Sequence, residues 1–306
     1  MASALQNQTF KFQHALDALF HRTSQLLALG ILATVVLIAV LLFHSSLPSL
    51  TQFGLNFLTS AEWDPVAERM GGLGPIVGTL VTALLSVAIA IPVSFGIALF
   101  ITEICPNCLR RILRVLIELL AGIPSIIYGM WGLFILAPVL ADPVQPWLIA
   151  HFFPNDTPLG IGVMTAAIVL SIMIIPFMAS VIQDGFALVP DLLKESAYAL
   201  GATRWEVIRN VILPYCKSSA IGGVILGLGR ALGETMAVAF VIGNSHELFK
   251  SLIAPGSTIS SVLANEFSEA TGKLYSSALS ELGLILLGIT LLVFLSSKLL
   301  FARSRG

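Results

Sequence analysis

Charged residues are scarce in this chain, and their scarcity excludes most soluble folds. Only 11% of the 306 residues are Asp, Glu, Lys or Arg, whereas 57% are hydrophobic. Soluble domains carry about 25% charged residues, so water does not solvate most of this surface. The net charge of -1 also excludes a global field that would attract nucleic acid. The composition therefore predicts an all-α polytopic membrane protein.

Cysteine is also scarce, with three residues, which excludes a disulfide framework. Cys105 and Cys108 have the spacing of a metal or redox pair. A structural zinc site needs four ligands, however, and no second pair is present. We therefore expect reduced thiols and no metal bound by this chain.

Hydrolase motifs are absent as well. Neither Gly-x-Ser-x-Gly nor His-Glu-x-x-His occurs, and none of the five histidines lies within a predicted membrane span. An intramembrane hydrolase needs a nucleophile with a base in reach. The sequence therefore predicts no catalytic residues and no enzyme.

What the chain does contain is six apolar segments that are long enough to cross a membrane. We predict spans at 26–43, 73–102, 116–140, 162–182, 221–243 and 282–301. Prolines interrupt three of them, at Pro92, Pro124 and Pro176. Residues 1–25 are amphipathic and predict a short helix on the membrane surface. The polar segments 44–72 and 142–159 predict external loops.

Basic residues predict the orientation of these spans. On one side lie three, Arg69, Lys250 and Lys273. On the other lie twelve: Lys11, Arg22, Arg110, Arg111, Arg114, Lys194, Arg204, Arg209, Lys217, Lys298, Arg303 and Arg305. Since cytoplasmic segments carry the excess of Lys and Arg, both termini are expected in the cytoplasm, which six spans allow.

The fifth predicted span carries one arginine and one glutamate near its middle. In a continuous helix Arg230 and Glu234 are one turn apart and share a face. A charge at the centre of a span costs about 3 kcal/mol on insertion scales and about 10 or more in simulations. The pair therefore indicates either a function or an ion pair that joins this helix to its neighbours.

The chemistry of this pair suits an oxyanion. Guanidinium offers a donor fork that matches two oxygens of a tetrahedral anion. The carboxylate of Glu234 repels sulfate, whereas phosphate near neutral pH keeps a proton that the carboxylate accepts as a hydrogen bond. Thr235 either adds a hydroxyl to the same path or bonds its own backbone. A second intramembrane carboxylate, Glu118, follows Arg114 by four residues, and this spacing favours a local ion pair over a transport role.

The longest predicted cytoplasmic loop, 189–216, has the pattern of two short helices. Pro190 and Asp191 suit the start of a helix, and Gly201 suits the left-handed residue that ends it. Thr203 and Glu206 have capping-box spacing for a second helix, which Pro214 is expected to close before the fifth span. The first helix exposes an apolar face, consisting of Leu192, Leu193, Ala197 and Leu200. A loop that merely connects two spans has little reason to carry such a face.

This loop resembles the EAA signature of ABC importer permeases. The matching residues are Glu195, Ser196, Ala197, Gly201 and the run Val211-Ile212-Leu213-Pro214, with Ser196 in place of alanine and Val211 in place of isoleucine. In that family the bent helix pair docks on a separate ATP-hydrolysing subunit. This chain has no Gly-x-x-x-x-Gly-Lys-Ser/Thr loop of its own. The alternative is an amphipathic loop that rests on the membrane surface.

Residues 227–237 and 242–244 resemble the phosphate-uptake branch of those permeases. Residues 123–134 and 263–267 resemble its PstC-type subunits rather than the PstA-type ones. The resemblance runs from about residue 53 to 298. It implies a type I importer permease fold (a MetI-like core) with an extra N-terminal span, in a bacterial inner membrane. Arg230, Glu234 and Thr235 would line the path of phosphate.

The resemblance also implies partners and a domain organisation. The partners are a PstA-like second permease subunit, a dimer of PstB-like ATP-binding subunits that hold ATP and Mg, and a PstS-like periplasmic phosphate-binding protein. The expected organisation is an N-terminus at 1–25, a first span with its periplasmic loop at 26–72, a permease core at 73–301 and a tail at 302–306. Two other functions stay open: a sulfate or molybdate permease, and a passive anion channel, which would not need a docking loop.

Overall fold

The computed structural model describes residues 2–154 and 156–304, with side chains for 17, 19–154 and 156–297. In chain order its α-helices are α1 Ala2–Phe53, α2 Asn56–Thr59, α3 Leu73–Leu99, α4 Asn107–Ala121, α5 Ser125–Trp131, α6 Ala137–Val139, α7 Gln145–His151, α8 Val163–Ala187, α9 Asp191–Ala199, α10 Arg204–Val207, α11 Leu213–Leu232, α12 Met236–Val241, α13 Ile259–Glu266 and α14 Lys273–Ser304. Four π-helical segments join neighbouring helices, at Phe100–Ile104, Gly132–Leu136, Leu140–Val144 and Ile208–Ile212. The strands β1 Trp63–Asp64 and β2 Arg69–Met70 form an antiparallel hairpin.

The described residues contain six helical stretches that are long and apolar enough to span a membrane. They are Leu19–Phe53, Leu73–Ile104, Ser125–His151, Val163–Ala187, Arg204–Leu232 and Lys273–Ser297. This confirms the predicted number of spans. Their bounds differ from the predicted ones at several ends, and each difference has a physical cause.

The core is built around α8. This helix packs against α3, α4 and α11. In its most apolar 18-residue stretch 67% of the residues are buried, whereas none are buried in the corresponding stretch of α1. Small residues of α3, among them Ala83 and Ala90, lie in the same buried cluster as Leu170 and Ile174 of α8. The α8 helix therefore lies at the centre of the core, whereas α1 packs against α14.

The third predicted span, 116–140, is wrong at both ends. Helix α4 is a separate amphipathic helix, in which Ile117 is the buried side chain, and Pro124 takes an extended conformation before α5 begins. The observed span continues to His151, through part of the predicted external loop. Its later prolines do not stop it, because Pro143 lies in a π-helical segment and Pro146 in the first turn of α7, where a missing N–H is tolerated.

The first and last spans extend beyond their predicted bounds. Helix α1 passes through Pro48 to Phe53, ten residues into the predicted loop, because it packs against α14 there. The Ser49 backbone N–H donates to Ser277 Oγ at 2.9 Å, and Ser49 Oγ donates to Glu281 at 2.5 Å. Residues 2–25 continue the same helix. Their predicted location on the membrane surface stays a prediction.

Between α11 and α14 the chain makes a long excursion, through α12, an irregular segment and α13. Gly243 pairs with Gly256, so the segment between them folds back on itself. Thr258 and Ser261 form a capping box at the start of α13. The Ile259 backbone N–H donates to Thr79 Oγ1 of α3 at 2.9 Å, which attaches the excursion to the core.

Candidate functional site

The helix that carries Arg230 ends earlier than expected. Helix α11 stops at Leu232, Gly233 caps it, and α12 begins only at Met236. The prediction that Arg230 and Glu234 share a face of one continuous helix is therefore wrong. No ion pair joins them among the described residues.

Glu234 has a backbone role that explains the break. Its Oε1 accepts a hydrogen bond from the Ala237 backbone N–H at 3.2 Å, in the first turn of α12. The first N–H groups of a helix lack intrahelical partners, so a carboxylate is favourable there. Thr235 Oγ1 donates to the Gly233 carbonyl at 3.3 Å. Both side chains are half-buried at the junction between the two helices.

Arg230 lies in the last turn of α11 and is exposed. Its guanidinium carbon lies 5.8 Å from the ring centroid of Phe177 on α8. A cation is favourable at the C-terminal end of a helix and over an aromatic face. Since no described carboxylate pairs with it, this guanidinium is free to bind an anion.

The predicted two-helix loop is present and has the expected turn chemistry. Pro190 is the N-cap of α9, one position before the expected one, and Asp191 opens the helix. Gly201 has a φ of +86°, the left-handed conformation expected of it. Thr203 and Glu206 form the capping box: Thr203 N–H donates to Glu206 Oε2 at 2.7 Å, and Glu206 N–H donates to Thr203 Oγ1 at 3.4 Å.

The loop exposes an apolar surface, as predicted, with one exception. Leu200 is 90% exposed and Leu192 72%, and Trp205 of the second helix adds to the same end. Ala197 instead packs against the buried cluster that contains Ile182. A small residue is needed there because α9 lies against the core on that side.

The polar members of the EAA signature face solvent. Glu195 and Ser196 are both exposed. Ser196 Oγ donates to the Leu192 carbonyl at 2.6 Å within the same helix. The carboxylate of Glu195 therefore lies beside the exposed apolar surface of α9.

The second helix of the loop does not end at Pro214. Leu213 and Pro214 form the first turn of α11, where Pro214 is exposed and needs no N–H partner. The π-helical segment Ile208–Ile212 joins α10 to α11. One helical rod, Arg204–Leu232, therefore connects the loop to Arg230, 26 residues or about 39 Å away at 1.5 Å per residue.

No pattern in the sequence indicated the ion pair that joins α9 to the second span. Lys194 Nζ lies 2.7 Å from Glu103 Oε1, and the side chains are only 18% and 10% exposed. The two residues are 91 positions apart, so no spacing rule applies. Arg114, expected to pair with Glu118, instead lies 3.8 Å from Asp184.

A polar cluster was also missed at the opposite end of the molecule. Glu266 of α13 accepts hydrogen bonds from His246 Nε2 at 2.6 Å, Trp63 Nε1 at 3.0 Å and Tyr275 OH at 2.5 Å. Trp63 stacks on His246 with ring centroids 5.2 Å apart. Burial alone would raise the pKa of Glu266, but these donors outweigh it and lower the pKa below its usual value. The β-hairpin is thereby joined to three later segments.

Comparison with known proteins identifies the family of this chain. Residues 95–306 match the family of binding-protein-dependent transport system inner membrane components, which is 212 of the 306 residues. The chain belongs to this family. The match includes the two-helix loop, the rod and the excursion between α11 and α14.

Relatives of this permease cover nearly its whole length. The phosphate transport system permease protein PstC of Mesorhizobium japonicum is 50% identical over 94% of this chain and 90% of that protein. The same-named protein of Haemophilus influenzae is 49% identical over 97% and 95%. A probable protein of that name from Methanocaldococcus jannaschii is 41% identical over 84% and 85%.

Solved importer permeases share the fold. A bacterial alginate ABC transporter, in complex with an alginate pentasaccharide-bound periplasmic protein, has a chain that matches with a TM-score of 0.57 over 90% of this permease and 93% of that chain. The inward-facing methionine transporter MetNI matches with a TM-score of 0.54 over 74% and 91%. Both are 18% identical. The predicted type I, MetI-like fold is thus confirmed.

Proposed function

We propose that this chain is a PstC-type permease subunit of an ATP-driven phosphate importer. It carries inorganic phosphate across the inner membrane by alternating access. Relatives of that description at 49–50% identity over more than nine-tenths of the chain support the substrate. The structural observation that carries the mechanism is the helical rod Arg204–Leu232, which joins an exposed apolar loop at one end to a free guanidinium at the other.

The rod explains how a partner could act on the anion path. An ATP-binding subunit that binds to Leu192, Leu200 and Trp205 would move α9 together with the start of the rod when it changes conformation. Because α10, the π-helical segment and α11 are continuous, that movement reaches Arg230. No ATP-binding motif lies in this chain, so ATP and Mg belong to the partner, and Glu195 to Gly201 is the docking segment.

Arg230 is the phosphate-binding group in this proposal. Its fork of donors matches two phosphate oxygens. Glu234 lies four residues further on and holds α12 through one carboxylate oxygen, so the other oxygen can accept a hydrogen bond from the protonated oxygen of hydrogen phosphate. Thr235 lies at the same helix junction and offers its hydroxyl as a further contact.

The partners follow from the same reasoning. The complex contains a PstA-like permease, two PstB-like ATP-binding subunits and a PstS-like phosphate-binding protein. The end with α9 then faces the cytoplasm, together with both termini, as the distribution of basic residues predicts. The β-hairpin and α13 face the periplasm. A passive channel fits less well, because it has no use for the exposed apolar loop.

Substitution of Arg230 tests this proposal. We expect Arg230→Gln to lower ATP-driven uptake of labelled phosphate into proteoliposomes of the assembled complex by at least about tenfold, since a hydrogen bond to a charged group contributes about 1.5–3 kcal/mol. Lys217→Gln is the matched control, because it removes one charge from an exposed position of the same helix. Unchanged uptake in Arg230→Gln would remove the site assignment.

The same assay decides the substrate class. Excess unlabelled sulfate should leave phosphate uptake unchanged, since Glu234 has no proton to accept from sulfate. Equal competition by sulfate and phosphate would favour a sulfate or molybdate permease. Ion conduction without the ATP-binding subunits would favour a channel.

A further inference from the structure

A cavity of about 200 Å³ lies where α9 meets the body of the permease. Its polar lining comes from the end of the second span, from α4, from the end of α8 and from the start of α9. These polar residues are Thr102, Glu103, Arg110, Arg114, Gln183, Asp191 and Lys194. The volume is several times the ~30 Å³ that one water occupies in the liquid, so a tetrahedral oxyanion fits.

Two buried donors that line this cavity lack an acceptor. Arg110 Nε and Gln183 Nε2 make no hydrogen bond among the described residues, and Gln183 is only 2% exposed. The described part of the chain contains five such buried side-chain atoms, so two of the five line one small cavity. A buried donor left without a partner destabilises the folded state, because it has lost its hydrogen bond to water. An acceptor placed in the cavity would remove that destabilisation for both.

The unpaired guanidinium of Arg110 favours an anion as that acceptor. The cavity is lined by three basic residues, Arg110, Arg114 and Lys194, and by two carboxylates, Glu103 and Asp191. Arg114 is paired outside the lining, 3.8 Å from Asp184. Lys194 is paired with Glu103 but has three N–H donors. Arg110 has no carboxylate partner among the described residues, and the single hydrogen bond of its guanidinium, from Nη2 to the Cys105 carbonyl, is long at 3.4 Å.

We infer that this cavity binds the phosphate group of a ligand on the cytoplasmic side, through Arg110, Gln183 and Lys194. The inference rests on the proposed function, which sets the orientation. The site is separate from Arg230, which lies at the far end of the rod. The phosphate group belongs either to free inorganic phosphate, the product of import, or to an anionic lipid headgroup, since the amphipathic α4 exposes leucines beside the cavity.

A phosphate group bound here would act on transport. It bridges α4 to α9, the helix whose movement the ATP-binding subunits must transmit. Because Arg110, Lys194 and the amide of Gln183 would all bind the same anion, the anion would oppose the separation of α4, α8 and α9. Occupancy by free phosphate therefore slows import as phosphate accumulates inside. Occupancy by a lipid headgroup makes import depend on lipid composition.

The experiment uses the assembled transporter in neutral-lipid proteoliposomes, with ATP in the lumen and the phosphate-bound receptor outside. Initial uptake of labelled phosphate is measured with and without inorganic phosphate in the lumen. We expect luminal phosphate to slow the unsubstituted transporter severalfold, and Arg110→Gln to abolish that slowing. Arg111→Gln is the matched control: it removes one charge from the next position of α4, which is exposed and does not line the cavity. It should keep the slowing.

The second arm replaces luminal phosphate with phosphatidylglycerol in the bilayer. A change in uptake rate with this lipid that Arg110→Gln removes and Arg111→Gln keeps would assign the cavity to a lipid headgroup. Equal responses of the two variants in both arms, or no response of the unsubstituted transporter in either, would overturn the inference. If luminal phosphate slowed uptake only by rebinding at Arg230, it would slow Arg110→Gln as much as the unsubstituted transporter. That result would also overturn the inference.

The two proposals fail separately. Loss of the response to luminal phosphate leaves basal uptake in place, so the proposed function would stand. Absence of ATP-driven phosphate uptake in the unsubstituted complex would remove the proposed function. The cavity is then tested alone, by the effect of inorganic phosphate on the thermal unfolding of the Arg110→Gln and Arg111→Gln complexes.

Discussion

The two ends of this permease are ordered in different ways. The coupling end, residues 189–216, consists of short helices whose starts and stops are set by their own residues, Pro190, Gly201, Thr203 and Glu206. The hairpin end, residues 60–72 and 243–272, is ordered by contacts between distant residues, with Glu266 at their centre. Signals within a short helix do not depend on distant residues, which fits the docking role proposed for this loop. The hairpin end depends on residues that meet only in the folded chain.

The hairpin end should be the more sensitive of the two to a single added methyl group. A Cβ at Gly78 of α3 would lie 1.9 Å from the Ser257 carbonyl oxygen, and backbone cannot move aside without loss of the Ile259–Thr79 hydrogen bond. We expect Gly78→Ala to lower the free energy of unfolding by about 3 kcal/mol, at the upper end of overpacking costs. Thermal unfolding of the purified chain in detergent measures this.

Gly96 of the same helix provides the control for that change. An added Cβ there meets no atom within 4 Å, so Gly96→Ala should be neutral or slightly stabilising. A stable Gly78→Ala chain with unchanged transport would show that the hairpin end is not held by this close approach.

Besides its apolar packing, the coupling end has a long-range polar contact, the Lys194–Glu103 ion pair. Removing this pair tests how much the coupling end depends on distant residues. Lys194→Met leaves Glu103 mostly buried without its partner. Breaking a fully buried pair costs about 3–5 kcal/mol, so we expect about 2 kcal/mol for this slightly exposed one. The measurement is again thermal unfolding, with ATP-driven uptake as a second readout.

The exposed pair Arg114–Asp184 is the control for Lys194. Its side chains are 46% and 74% exposed, so Arg114→Met should cost less than about 1 kcal/mol. Equal effects of the two substitutions would mean that the Lys194–Glu103 pair contributes no more than a surface contact, and that α9 is held by its apolar packing alone.

The smallest expected effect tests whether the coupling end is ordered by its own residues. Gly201 has φ +86° with open space around it, so Gly201→Ala meets no steric contact but adopts a left-handed conformation. That costs about 1 kcal/mol. Gly201→Asn should cost less, because asparagine tolerates this conformation. A larger loss of stability for Gly201→Ala than for Gly78→Ala would reverse the comparison.

Much of the fold was predictable because its signals lie close together in the chain. Six apolar segments predicted six spans, and the left-handed Gly201 and the capping box of Thr203 and Glu206 were confirmed. Pro190 lies one position earlier than predicted, and Pro214 does not end the second helix. The ends of the spans were not predictable. Pro48 stays helical because α14 packs beside it, and α4 separates from the third span because Pro124 is extended.

The candidate anion site shows the same limit. Arg230 and Glu234 are one turn apart in the sequence, and a continuous apolar run suggested one helix. The helix breaks because Gly233 caps it and Glu234 holds the next helix. The neighbour of Arg230 is Phe177 on α8, 53 positions away, which no periodicity could indicate.

By itself, the sequence determined that this chain lies in a membrane, crosses it six times and carries a two-helix loop with an apolar face. These properties follow from composition and from residues within a few positions of one another. The tertiary structure alone decided which charges are paired, namely Lys194 with Glu103 and Glu266 with His246, and that Arg230 has no carboxylate partner among the described residues. The physical reason is that pairing depends on distance in space, and these partners meet only after the helices have packed around α8.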